Sequence, residues 1–340
     1  MRRRPSLRLL AGLIGIGALA GPGMAQDAVP AIAAPPPAET PAQLDQQQAE
    51  TLRTGVDPDE RMTVGVNISG SGPYRFIVDT GAERTVISSE LARTLALRPG
   101  RLTTVHSMTE VSQIPTVVIP TLSVGSRSVD DIHAPALSRV HLGASGILGV
   151  DSLRNQRVTF DFERREMTVT PSRRREERWP DGNTIVVTGR SIYGRLVLVD
   201  ANFDGQRIWV IIDTGSEVSV GNSALRNALQ RRGRLRTIAP IRMVSITGGE
   251  IMAEYNMASR IRIGGIDITN LPVAFADVHP FRQLGLENRP ALLLGMDALQ
   301  LFERVSVDFP NRRVRVQVDD GAMLLAPTRI AGAALPRLAR

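Results

Sequence analysis

At 340 residues with 42% hydrophobic content, the chain is long enough to bury a real core in one large or two small domains, and 4% aromatics make that core aliphatic. Cysteine is absent, which excludes disulfides and thiolate metal sites. The formal charge of +7 is carried entirely by arginine; scattered as it is, with few aromatics to stack on bases, it reads as a solvated surface and gives no footing to a nucleic-acid partner.

In chain order, MRRRPSLRLLAGLIGIGALAGPGMAQDA combines a basic start, an apolar run from Leu9 to Ala20 and a small-x-small site at Gly23-Met24-Ala25. This predicts a secretory signal peptide over residues 1–25, with an uncleaved anchor as the alternative. The expected location is therefore exported, periplasmic or secreted, and the run is too short for a comfortable membrane span. Residues 26–56, rich in Ala, Pro and Gln, predict a disordered tether. From Arg61 short β-type runs alternate with turn signals: MTVGVNI, SGSGPY and RFIVD, then TVVIPTLSVG and RVTFDFERREMTV. Short helices are predicted over 89–97 and 223–231, so the architecture is mainly β.

An internal repeat organises the rest. RMTVGVNISGSGPYRFIVDTGAERTVIS (61–88) aligns without a gap on RLVLVDANFDGQRIWVIIDTGSEVSVGN (195–222), and GILGVDSL (146–153) on LLLGMDAL (292–299). Two lobes follow, 57–170 and 184–320, joined by a polar linker over 171–183 and trailed by a tail over 321–340. Each repeat runs a buried strand into Asp-Thr-Gly, at Asp79 and Asp213. An acid there is costly unless nearby donors hold it. Gly81 and Gly215 permit a tight turn with free N–H groups, and Thr80 and Thr214 offer hydroxyls to the opposite copy. If the copies pack about a pseudo-twofold axis, the carboxylates face each other and share a proton, the equipment for general acid–base hydrolysis of an amide. Asp151 and Asp297 read as structural helix N-caps. His106, His133, His141 and His279 lack metal-ligand spacing and read as loop residues.

Apolar-apolar-Asp-Thr-Gly-(Ala/Ser) followed by apolar-Leu-Gly-x-Asp-x-Leu, here FIVDTGA with ILGVDSL and VIIDTGS with LLGMDAL, resembles the retropepsin family of aspartic proteases. The resemblance implies an all-β fold of two tandem closed acid-protease barrels about a pseudo-twofold, with few short helices. It implies an aspartic endopeptidase in which Asp79 and Asp213 are the catalytic pair. Thr80, Gly81, Ala82, Thr214, Gly215 and Ser216 would support them. Ser216 is expected to donate to Asp213 a bond that Ala82 cannot offer Asp79. The Leu-Gly segments would pass behind the turns. Flap hairpins are implied at Ser107, Met108 and Thr109, and at Thr247, Gly248 and Gly249. The first lacks a tip glycine, so one working flap is expected. No metal or organic cofactor is called for; the partner is a peptide or protein substrate, and the chain acts as a monomer, with a dimer as the alternative. The competing readings are a non-catalytic peptide-binding scaffold and a dimeric protease that pairs its Asp-Thr-Gly turns between molecules.

Overall fold

The computed structural model describes residues 49–57, 61–153, 156–172, 184–192, 195–235, 237–318 and 324–325. The signal peptide, the tether up to residue 48, the linker from 173 to 183 and all of the tail but Leu324–Leu325 lie outside the described residues.

In the first lobe the strands are β1 Glu50–Arg53, β2 Gly55–Val56, β3 Met62–Ile68, β4 Ser71–Val78, β5 Val86–Ser88, β6 Arg98–His106, β7 Val111–Val124, β8 Arg127–Leu137, β9 Gly146–Leu148, β10 Gln156–Asp161 and β11 Glu166–Pro171. The second lobe runs β12 Thr184–Ile192, β13 Arg195–Phe203, β14 Gln206–Ile212, β15 Val220–Gly221, β16 Thr237–Val244, β17 Glu250–Ile263, β18 Ile266–Phe275, β19 Ala291–Leu294, β20 Arg304–Asp308 and β21 Arg313–Gln317, with β22 at Leu324–Leu325. Short helices are α1 Ser89–Thr94, α2 Arg139–Leu142, α3 Ser223–Arg231, α4 His279–Gln283 and α5 Met296–Leu299. Ser88 and Asn222, at equivalent places in the repeat, cap α1 and α3 by accepting from Leu91 N and Leu225 N. Ala96 adopts a left-handed φ of 48°, which stops α1 short of its expected end at residue 97.

Each lobe closes on itself. β3, β4, β9, β5, β8 and β7 form a ring sealed by the β3–β7 pairing, Ile68 opposite Leu122. β13, β14, β19, β15, β18 and β17 form its counterpart, sealed by Ala201 opposite Ile263. The all-β, two-barrel expectation holds. Closure leaves no free edge within either ring, while β6 and β16 extend from the rings as outer hairpin strands.

A third sheet joins the lobes. In it β1, β11, β10, β20, β21 and β12 lie side by side, and β10 meets β20 antiparallel with Thr159 opposite Ser306. Val158, Phe160, Val305 and Val307 are fully buried there. Asp161 of one lobe takes Nη2 of Arg304 of the other at 2.7 Å. The tether thus ends sooner than expected, because Glu50–Arg53 has an unpaired strand beside it and pairs with Glu166–Val169. Likewise Pro171 belongs to β11 and not to the linker, and Leu324–Leu325 of the tail pairs with β18.

Candidate active site

Each Asp-Thr-Gly turn follows a fully buried run that ends β4 in the first lobe and β14 in the second. Phe76, Ile77 and Val78 are all fully buried because β4 is covered on both faces: Phe76 and Val78 belong to the main core, Ile77 to a smaller cluster with Val86, Leu137, Leu142 and Ile147. Val210, Ile211 and Ile212 divide the same way. The strand is pinned too tightly to shift, so the residue after it is placed with little freedom.

The Leu-Gly segments hold the turns from behind. Asp79 N donates to Leu148 O and Val150 N to Ala82 O at 3.1 and 2.8 Å. In the second lobe Asp213 N donates to Leu294 O and Met296 N to Ser216 O at 3.1 and 2.9 Å. Gly149 and Gly295 are needed for space: a Cβ on Gly295 would stand 2.6 Å from the Val218 backbone, and one on Gly149 would meet the Arg84 backbone. Asp151 and Asp297 are structural, as expected, but they cap no helix. Gly149 and Gly295 occupy the cap positions. Asp151 instead accepts from Thr85 N and Oγ1, and Asp297 from Ser219 N and Oγ. Each carboxylate so ties the Leu-Gly segment to the chain leaving the turn, a role signalled by the hydroxyl six residues after each Asp-Thr-Gly aspartate. Burial pushes the Asp297 carboxyl up to about 6 against the opposing pull of its bonds from Ser219 and Ala298.

The two turns meet through their threonines. Thr80 N donates to Thr214 Oγ1 at 2.9 Å, and Thr214 N to Thr80 Oγ1 at 3.3 Å. Thr214 Oγ1 donates to Val78 O at 2.8 Å and Thr80 Oγ1 to Ile212 O at 3.4 Å. Both threonines are buried, 2% and 1% exposed, while Asp79 and Asp213 keep partial access to solvent. Asp79 Oδ1 accepts from Gly81 N at 2.7 Å and Ala82 N at 3.1 Å; Asp213 Oδ1 accepts from Gly215 N at 3.1 Å. A point one Cβ bond out from Gly81 lies 2.7 Å from Asp213 Oδ1 and 3.1 Å from Asp79 Oδ1. The corresponding point on Gly215 falls on the Asp79 carboxylate. Any side chain at either glycine would occupy the space the two acids share.

Ser216 departs from expectation. Its hydroxyl donates to Val218 O at 2.8 Å, inside its own turn, and a single O–H cannot also serve Asp213.

Ser107, Met108 and Thr109 form the tip between β6 and β7, and Thr247, Gly248 and Gly249 the tip between β16 and β17. Both hairpins cross to the opposite lobe. Met108 packs on the second-lobe cluster of Tyr255 and Phe281; Ile246 packs on the first-lobe cluster of Leu142 and Ile147. The tips meet where Thr109 Oγ1 donates to Ser245 Oγ at 3.0 Å. The first tip turns without glycine because Ser107 closes it: Ser107 Oγ donates to Glu110 O and accepts from Glu110 N, at 3.0 and 3.1 Å. Tyr255 is buried in the core, and its hydroxyl is pushed up by burial and by the Asp297 and Glu217 charges. None of the histidines sits in a loop. His106 ends β6, His133 lies within β8, and His141 and His279 belong to α2 and α4.

Residues 64–155 match the family model described as gag-polyprotein putative aspartyl protease. Residues 199–298 match a second model, described as aspartyl protease. No curated protein matches the chain.

Proposed function

Since the chain belongs to the retroviral-type aspartyl protease families, one matched domain in each lobe, we propose that it is an aspartic endopeptidase whose single centre is assembled from Asp79 and Asp213. The observation that carries this reading is the crossed threonine lattice, which brings the Asp-Thr-Gly turn of each lobe against the carboxylate of the other. Because both partners in that lattice belong to one chain, the pairing is intramolecular in this reading.

Two carboxyls this close hold one proton between them. A water between them gives a proton to the ionised acid as its oxygen attacks the scissile carbonyl carbon; the protonated acid passes its proton to the carbonyl oxygen. As the tetrahedral diol collapses, one of its hydroxyls returns a proton to the acid that had given one up, the C–N bond breaks, and the amine leaves with the proton first taken from water. The N–H groups of Gly81, Ala82 and Gly215 steady the carboxylates through this exchange. Peptide lies extended beneath the hairpins, adding main-chain hydrogen bonds to their edges. Rate should follow a bell-shaped pH profile on the acid side. The chain performs this chemistry outside the cytoplasm, on the reading of its first residues as a signal peptide.

The test is incubation of purified protein with a peptide library at acid to neutral pH, alongside Asp79→Asn and Asp213→Asn. Both single variants should lose cleavage by about 100-fold or more, as expected for general acid–base groups. Wild-type-level cleavage by either one would sink the shared-pair mechanism, and a wild type that binds peptides without cutting them would leave a binding module.

A further inference from the structure

Three of the four histidines stand where a hairpin of one lobe meets the body of the other. His106 immediately precedes the first tip, and its Nδ1 lies 2.6 Å from Nε2 of His279, the first residue of α4 in the second lobe. The rings lie edge to edge and nearly coplanar, with centroids 4.8 Å apart and planes 14° from parallel. Beside them His279 N donates to Met108 O at 2.8 Å, and the Met108 side chain rests on the second-lobe cluster. In the other half of the repeat, Val244 takes the place of His106 and Ile246 that of Met108. His141 lies against Gly248, whose Cβ, had it one, would be 2.9 Å from His141 Nε2. One junction therefore carries two imidazoles and the other carries one.

Two ring nitrogens at 2.6 Å need one donor and one acceptor. A neutral pair satisfies this, and a singly protonated pair satisfies it with a stronger, charge-assisted bond. A doubly protonated pair has two donors, no acceptor and two positive charges in contact. Among the described residues, the elements packed here carry the following other charged groups. Glu110 lies in the tip itself, and His106 faces apolar Val111 across the hairpin. α4 carries Arg282, and its Gln283 donates to Glu83 of the first lobe at 2.9 Å. Asp277, just ahead of α4, is held by Ser223 N and Oγ. Glu250 follows the second tip and pairs with Arg242.

We propose that His106 and His279 are positioning residues for the first hairpin: the hydrogen-bonded pair holds it against the second lobe while at most one imidazole is protonated, and releases it when both are. Each proton taken up favours release, so release follows acidification. Acidification then opens one side of the site under the conditions in which the acid pair holds its proton. That consequence rests on the peptidase reading; the latch does not.

Hydrogen–deuterium exchange on the full chain tests the latch with no substrate present. Corrected for intrinsic exchange, amides of residues 105–112 should exchange at least about fivefold faster at pH ~5 than at pH ~7.5, the factor expected of two like charges in contact at a solvated surface. Residues 243–251 should change less. His106→Val, which installs the residue of the other repeat, and His279→Gln should each abolish the pH response of 105–112. Equal protection at both pH values in the wild type, or an unchanged response in both variants, overturns the proposal. Where peptide cleavage is found, KM should rise or fall across the same pH range in the wild type and stay flat in His106→Val, while kcat keeps its acid limb in both. An exchange response without cleavage keeps the latch and removes the peptidase; cleavage without the response does the reverse.

Discussion

Thr214 donates to the Val78 carbonyl and accepts from the Thr80 amide, both in the opposite lobe, so deleting its hydroxyl strands two buried groups at once. Thr214→Val should cost about 3 kcal/mol in urea unfolding, while Thr214→Ser, which keeps the hydroxyl, should cost under about 1 kcal/mol. Asp297 makes a second residue-scale prediction. A buried carboxyl raised to about 6 binds its proton more tightly folded than unfolded, so its contribution is fully present below the ordinary aspartate range and is lost as pH rises through about 6. Asp297→Asn should flatten the stability profile between about pH 4 and pH 7 by roughly 2 kcal/mol, measured by denaturant titration at each pH. The two catalytic candidates were legible from sequence because the repeat supplied each with its partner. The roles of Asp151, Asp297 and Ser216 were not. An acid or hydroxyl near a helix start or a turn has several acceptors and donors in reach, and only the fold decides among them.

At the scale of elements, the glycine of each Leu-Gly segment marks where two stretches of backbone pass without room for a side chain. Gly295→Ala would press a methyl into the Val218 backbone, and since both stretches are anchored, neither can yield cheaply. We expect a loss of about 2 kcal/mol or more and a lower thermal midpoint, with the equivalent change at solvent-facing Gly285 limited to its left-handed φ. The hairpins show where element-level reading stops. A Gly-Gly pair announced the second tip, but the first is turned by a serine hydroxyl bonded to both backbone groups of Glu110, and serine carries no unique turn signal. The strand Glu50–Arg53 was hidden for another reason. Four residues are too short a run for their alternation to stand out, and they become a strand only because β11 presents an edge.

For the whole molecule the decisive feature is the sheet in which β10 meets β20 at the pseudo-twofold. It could not be seen in the repeat, since self-similarity reports that two units exist and is silent on which edges they share. The same geometry predicts the behaviour of one half alone. A chain of residues 49–172 would expose the β10 edge with Val158 and Phe160 uncovered, and that edge can pair antiparallel with its own copy about Thr159. Light scattering should find it dimeric; a soluble, stable monomer would contradict the view that the lobes depend on each other. Covalent joining has a further consequence, one of inheritance. In an assembly of identical chains a single codon change alters both halves together, so whatever suits one side is forced on the other. Here His106 faces its partner where the second half has Val244, and Ala82 stands where the second half has Ser216. Each half has its own genetic address, and one can drift while the other is conserved.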